Sequence, residues 1–244
     1  MSKTLLVTSG KGGTGKTTVS MLLARELCSR GKNVLLLELD SGLRGLDLLL
    51  GVSDKVVYDL SDVLCGRCKP VKAITVCETE KGNLHLIAAP INRHFIPDKT
   101  NLEILLKGLS GCYDWLFLDS AAGLGKGFDI AKSVSDGAII VTNLDNVSVR
   151  DAAVTAQMLE PLPSRLVVNR FSRKQLGNDL PDLDAVIDAV GSRLISVIPE
   201  DPLLASHRDS HASPPASSPL LQEITDLADR LMGERIKLRT DRFK

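Results

Sequence analysis

The sequence predicts an α/β fold: a mostly parallel, twisted sheet with helices on both faces, within one domain. Seven short runs rich in Val, Leu and Ile alternate along the 244 residues with longer segments of helical periodicity. The runs are apolar throughout rather than alternating, as strands covered on both sides must be. The first run also passes into a helical segment through a glycine-rich turn, the usual join of a strand and a helix in such folds.

In chain order, the strand TLLVT (4–8) leads through SGKGGTGKTT into a helix expected over 16–30. Strands NVLLLEL (33–39) and LHLIAA (84–89) follow, then a helix over 99–110 and the strand WLFLD (115–119). A helix over 127–135, the strand GAIIVT (137–142) and a helix over 148–160 continue the alternation. RLVVN (165–169), a helix over 182–191, LISVI (194–198) and a helix over 219–232 complete it. No linker or internal repeat divides this series, so residues 1–232 are expected to form one domain. Within it the Ser/Pro-rich SHRDSHASPPASSP (206–219) reads as a surface loop, and 233–244 as a basic tail.

Hydrophobic residues make up 43% of the chain, enough for a substantial core, and no stretch is apolar for long enough to cross a bilayer. A strand-like segment at the very start leaves no room for a secretion signal, so a cytoplasmic location is expected. Thirty basic residues balance thirty acidic ones, which removes the general attraction that nonspecific DNA binders rely on. Aromatic residues are only 3%, too few for base-stacking platforms. No specific nucleic-acid partner is expected. The five cysteines (Cys28, Cys65, Cys68, Cys77, Cys112) form no regular framework and read as reduced thiols. CGRC at 65–68 has metal or redox spacing, with Cys77, His85 and His94 downstream, but the matched second pair of a structural zinc site is missing.

Gly10 to Thr17 fits G-x-x-x-x-G-K-[ST] between a strand and a helix, the context that makes this short pattern specific for phosphate. Gly10, Gly12, Gly13 and Gly15 let the backbone curl so that successive N–H groups point inward around the phosphates. Lys16 would reach the β- and γ-phosphates, and Thr17 would offer its hydroxyl to Mg²⁺. Thr14 and Thr18 complete the loop, and the helix start adds a favourable dipole. A nucleoside triphosphate with Mg²⁺ is therefore the ligand this pattern asks for, and a P-loop NTPase the expected fold; that the nucleotide is ATP is what the family resemblance described below implies.

Two carboxylates leave strand ends in the crevice where open α/β sheets bind ligands. Asp40, after the second strand, is the first candidate to position the attacking water or organise the Mg²⁺ shell, and Glu38 the second. Asp119, ending WLFLD, would hold Mg²⁺ through water together with Thr17.

Lys11 is one lysine more than a phosphate loop requires. KGGTGKT (11–17) resembles the deviant Walker A motif of the ParA/MinD family of P-loop ATPases, and GLRGLDL (42–48) is similar to a switch segment of its MinD branch. The resemblance runs from the first strand to about residue 204. It implies that Lys11 acts in trans, on the nucleotide of a second subunit, so that ATP binding and homodimer formation are coupled. It also implies that Gly123, in DSAAGLG (119–125), presents its N–H to the γ-phosphate, although Ala121 replaces the proline of the family's switch. By the same resemblance Asn169, with Arg170 beside it in VVNRFSR (167–173), would read the adenine edge, and Pro199, Glu200 and Asp201 would pack on the base. TNLDNVSVRDA (142–152) resembles the segment where an activator of the MinE kind binds, with Arg150 and Asp151 at the matching places and Leu144 and Asp145 replacing a Pro-Glu pair.

The resemblance implies a slow, partner-stimulated ATPase switch in septum placement, with a MinE-like activator or a MinC-like inhibitor as partner. The tail would bring peripheral contact with the inner face of the cell membrane. In MGERIKLRTDRFK (232–244), Ile236 and Phe243 share one helical face with Met232, but Leu238 lies off it and Gly233 weakens the helix. Three other readings share the ATPase core. A ParA-like DNA or cargo partition protein is disfavoured by zero net charge. An iron–sulfur carrier is disfavoured by the position of its CxxC. A flagellar-number regulator usually has an N-terminal extension, which this sequence does not show.

Overall fold

The computed structural model describes residues 2–79, 81–172, 182–202, 204, 215 and 217–239. An eight-stranded sheet forms its centre, built from β1 (Lys3–Thr8), β2 (Asn33–Glu38), β3 (Thr75–Cys77), β4 (Asn83–Ile87), β5 (Trp115–Asp119), β6 (Gly137–Thr142), β7 (Ser164–Phe171) and β8 (Arg193–Pro199). The order across the sheet is β3-β4-β2-β5-β1-β6-β7-β8. Every neighbouring pair is parallel except β3 on β4.

Alternate residues along each strand feed two separate cores, so both faces are covered. Leu6, Leu116, Leu118, Ile140, Leu166 and Val168 point to one core. It is closed by α5 (Lys99–Leu109), α6 (Lys126–Ser133), α7 (Asn146–Leu159) and α8 (Leu183–Val190) through Leu102, Phe128, Val149 and Val186. Val7, Trp115, Phe117, Ile139, Val141 and Val167 point to the other. There α1 (Lys16–Ser29) and α9 (Pro219–Met232) bring Val19, Leu23, Leu27, Ile224 and Leu227.

The seven expected strands and six expected helices all form, with ends moved by up to two residues. Five elements were not foreseen. These are α2 (Leu46–Leu50), a single 3-10 turn (Ser53–Lys55), α3 (Leu60–Leu64), α4 (Pro70–Ala73) and β3, each of three to five residues and too short to establish a period. The stretch 206–219 lies mostly outside the described residues, as do 240–244 of the tail. Gly233, at φ +104, terminates α9, and residues 234–239 form no helix, so the helical stripe expected in the tail is not seen over its described part. Among the described residues no helix is long and apolar enough to cross a membrane.

Parallel strands put the turns after β1, β2, β5, β6, β7 and β8 on one edge of the sheet. β1 lies between β5 and β6, with the chain wound outward on both sides, so its turn occupies the crevice favoured for ligands.

Candidate functional site

The loop after β1 is clamped from two sides. Gly10 packs so closely on the backbone of Asp151 in α7 that any side chain would collide with it. Gly15, the N-cap of α1 at φ +90, faces the amide of Asn169 with no space for a Cβ. That amide, buried at the end of β7, donates to the carbonyl oxygen of Thr14 at 2.8 Å. Asn169 is turned inward by an irregularity in the β7–β8 register between Val168 and Phe171, where Arg170 adopts φ +55. Glu200 N–H donates to Phe171 O at 3.0 Å, so Pro199, Glu200 and Asp201 sit beside the same strand end.

Asp119 is fully buried beneath the loop. Its carboxylate accepts from the Thr17 hydroxyl at 2.8 Å, the Ser20 hydroxyl at 3.2 Å and the Lys16 ammonium at 3.3 Å. Burial pushes its carboxyl above the usual range, while Lys16 and these hydrogen bonds pull it down. Lys16 Nζ also lies 3.3 Å from Thr17 Oγ1. Thus Lys16 and Thr17 of the phosphate loop and Asp119 from the end of β5, about a hundred residues further on, converge on one point. Ser20 was missed; it lies one helical turn beyond Lys16, on the same face of α1.

Glu38 and Asp119 are register partners on β2 and β5, which sets two carboxylates on neighbouring strand ends. Glu38 Oε1 accepts from Gly45 N–H at 2.6 Å and Leu46 N–H at 3.0 Å, and Oε2 accepts from Ala89 N–H at 3.3 Å. Its pKa is raised to about 7, chiefly by burial; its hydrogen bonds act to lower it and the charge of Asp119 to raise it. Glu38 therefore ties down the loop that carries Asp40. Asp40 itself is half-buried, and its carboxylate has no hydrogen-bond partner among the described residues. Its pKa is raised by burial, lowered by Lys16 and raised by Asp119, so it lies within electrostatic reach of both. Its loop is braced from outside: Gly42, at φ +83, leaves no space for a Cβ beneath the Arg93 side chain, and Ser41 Oγ donates to Phe95 O at 3.1 Å.

The remaining predicted residues lie around the rim. Gly123, at φ +95, donates its N–H to Ser9 O at 3.1 Å. Lys11, 45% exposed, has its Nζ 3.5 Å from Asp145 Oδ1 of the same chain. Asp145 in turn caps α7 by accepting from Ser148 N–H at 2.9 Å and Ser148 Oγ at 2.6 Å. Cys65 and Cys68 follow α3 and take no part in the site.

The residues present fit ATP with Mg²⁺. Nothing lies within 4 Å of a Cβ built on Gly12 or Gly13, so the backbone there borders open space that a side chain would fill. Thr14 Oγ1 is buried without a hydrogen-bond partner, an acceptor and donor awaiting a polar ligand. Thr17 and Asp119 supply the hard oxygens that suit Mg²⁺.

A glycine cradle at the switch point of a parallel sheet, with a lysine, a hydroxyl and a carboxylate on its floor, defines a P-loop nucleotide-binding protein. The model of the CobQ/CobB/MinD/ParA nucleotide binding domain matches residues 5–214, and the chain belongs to that family. It is 33% identical to the septum site-determining protein MinD of Bacillus subtilis, over 98% of this chain and 92% of that one. Among solved structures, MinD in the MinC:MinD cell division protein complex of Aquifex aeolicus superposes with a TM-score of 0.87 at 34% identity, covering 98% of this chain and 99% of that chain. MinD of Pyrococcus horikoshii, complexed with Mg-ADP, gives 0.83 at 29% identity over 96% and 97% of the two chains.

Proposed function

We propose that this chain is a MinD-like switch in septum placement: it binds ATP with Mg²⁺, pairs with a second copy, engages a partner or membrane, and is released on hydrolysis. The observation that carries the reading is the Lys16–Thr17–Asp119 node beneath the glycine loop, with the second, exposed lysine at the loop's outer rim. Family membership and this donor set make the protein an ATP hydrolase. Mg²⁺, held by Thr17 and Asp119, would neutralise charge on the phosphates. Lys16 would contact the β- and γ-phosphates, the loop N–H groups would hold them in line, and Asp40 would orient the attacking water. Lys11 would add its charge from a second subunit, and Gly123 would exchange Ser9 O for the γ-phosphate. Asn169 and the Pro199–Asp201 turn would flank the base.

The domain that does this spans 1–232. A MinC-like protein is the proposed partner by analogy with the Aquifex aeolicus complex, and an activator of the MinE kind would meet α7 near Arg150 and Asp151. The protein would work in the cytoplasm and contact the inner membrane face through 233–244, where Arg235, Lys237 and Arg239 accompany the 38% exposed Leu238. The balanced net charge favours this over a DNA partition role.

ATP turnover of Lys16→Ala and Asp40→Ala proteins tests the site. Both are expected to fall at least tenfold, with Lys16→Ala also losing nucleotide affinity; unchanged turnover in both would refute it.

A further inference from the structure

Arg165 and Arg193 are register partners on adjacent parallel strands, β7 and β8, so two guanidinium-bearing side chains leave the same face of the sheet side by side. Like charges placed directly opposite one another destabilise a sheet. Neither arginine has a carboxylate partner among the described residues. Arg165 donates to the carbonyl of its own neighbour, Ser164, at 2.9 Å. Both stand at the strand starts. Arg193 is six residues before Pro199, roughly 20 Å from the nucleotide edge at the usual rise per residue.

These arginines line a recess of about 750 Å³, within the size range of small-molecule sites. Its other wall is the segment after α9, which adds Arg235 and Lys237. Among the described residues neither has a carboxylate partner, and Glu234 is the sole carboxylate that lines the recess. A built framework holds that wall in place. Arg230 donates through Nε to Ile236 O at 3.0 Å, through Nη2 to Lys237 O at 2.9 Å, and through Nη1 to Ile195 O at 2.9 Å. Its own charge is answered by the buried Glu223 at 2.7 Å, so Arg230 shapes the recess without adding unpaired charge.

Four unanswered cations against one carboxylate, in a chain with no net charge, ask for a multiply charged anion. Guanidinium groups in pairs match the oxygen geometry of phosphate. Leu194, Ile195 and Ile236 line the same space, so the anion's body should be apolar. We propose that this recess is a second ligand site, separate from the phosphate loop, for a phosphate group attached to an apolar body. That chemistry is shared by soluble phosphorylated compounds and by phospholipid headgroups.

The test uses the full chain, first saturated with Mg-ADP. Uptake of Mg-ADP reports on the phosphate loop by itself, so failure of the nucleotide site shows at that step; in the vesicle arm, where the tail 233–244 is also proposed to touch membrane, the loss of binding in the arginine variant, whose tail is intact, is what reports on the recess. Phenyl phosphate is then titrated by calorimetry, and vesicles of phosphatidylglycerol in phosphatidylcholine are tested by co-sedimentation. Arg165→Gln/Arg193→Gln removes a repelling pair, so the variant should unfold at the wild-type temperature or higher in the absence of ligand. We expect the wild type to bind in at least one arm and the variant to bind about tenfold more weakly in that arm. A response to phenyl phosphate identifies a soluble ligand, and a response to vesicles alone identifies a lipid headgroup. If the wild type binds in neither arm, or the variant matches it in both, the site does not exist.

Discussion

Lys11 and Asp145 of one chain lie 3.5 Å apart, nitrogen to oxygen, at the rim of the nucleotide loop. Both side chains are more than a third exposed, so the pair contributes at most about 1 kcal/mol. In the proposed pairing, a second subunit's phosphates would therefore draw Lys11 away at little cost. Asp145→Asn keeps a residue able to cap α7 while removing the competing charge. It should strengthen ATP-dependent pairing by about two- to fivefold in sedimentation equilibrium. Weaker pairing would mean that Asp145 supports Lys11 in its role instead of competing for it.

Lys16 and Asp119 form a buried pair, 7% and 0% exposed. Replacing Lys16 by Ala leaves the carboxylate with its hydroxyl partners alone. The nucleotide-free protein should lose on the order of 1–3 kcal/mol in denaturant unfolding. Adding Asp119→Asn should recover part of that stability without restoring nucleotide binding. Such a split would separate the structural role of the pair from its proposed chemical one.

Glu38 gives stability a pH dependence of definite sign. Its pKa is about 7 in the folded chain against 4.5 ordinarily, so between these values the folded state binds more protons than the unfolded one. Stability must then fall as pH rises from about 4.5 to 7, by on the order of 3 kcal/mol at most from this residue. Asp119 adds a slope of the same direction. Glu38→Gln should flatten the curve relative to wild type over that window, measured by urea unfolding at several pH values. A curve of unchanged slope would show that Glu38 is not the group responsible.

Gly42 holds the Asp40 loop against Arg93 at a positive φ. Gly42→Ala combines left-handed strain of about 1 kcal/mol with a collision. It should lower ATP turnover several-fold while leaving the Kd for Mg-ADP within about twofold. An equal loss in both would place the effect on the whole pocket.

How much of this was legible in the sequence depends on how local each signal is. Lys16 and Thr17 could be read because a strand, a glycine turn and a helix lie within 30 residues, and Asp119 because it ends an apolar run. Ser20 could not, since its relevance is a contact with a residue 99 positions away. Glu38 drew notice as a strand-end carboxylate. Its work of fixing the Asp40 loop depends on where Gly45 and Leu46 return to meet it, which no periodicity encodes. Strand order is equally invisible, so neither the Glu38–Asp119 nor the Arg165–Arg193 juxtaposition could be anticipated. The short elements between β2 and β4 were missed because three to five residues cannot establish a period. Asn169 is placed at the base by resemblance; the hydrogen bond from its amide to Thr14 O adds a link from that strand end to the phosphate loop.

Light scattering coupled to gel filtration, on Asp40→Ala protein, which is expected to bind ATP and turn it over at least tenfold more slowly, tests the switch most directly. With Mg-ATP the mass should be that of two chains, and with Mg-ADP or no nucleotide that of one. Adding Lys11→Ala should return the Mg-ATP sample to a single chain. One chain under all three conditions would contradict the account.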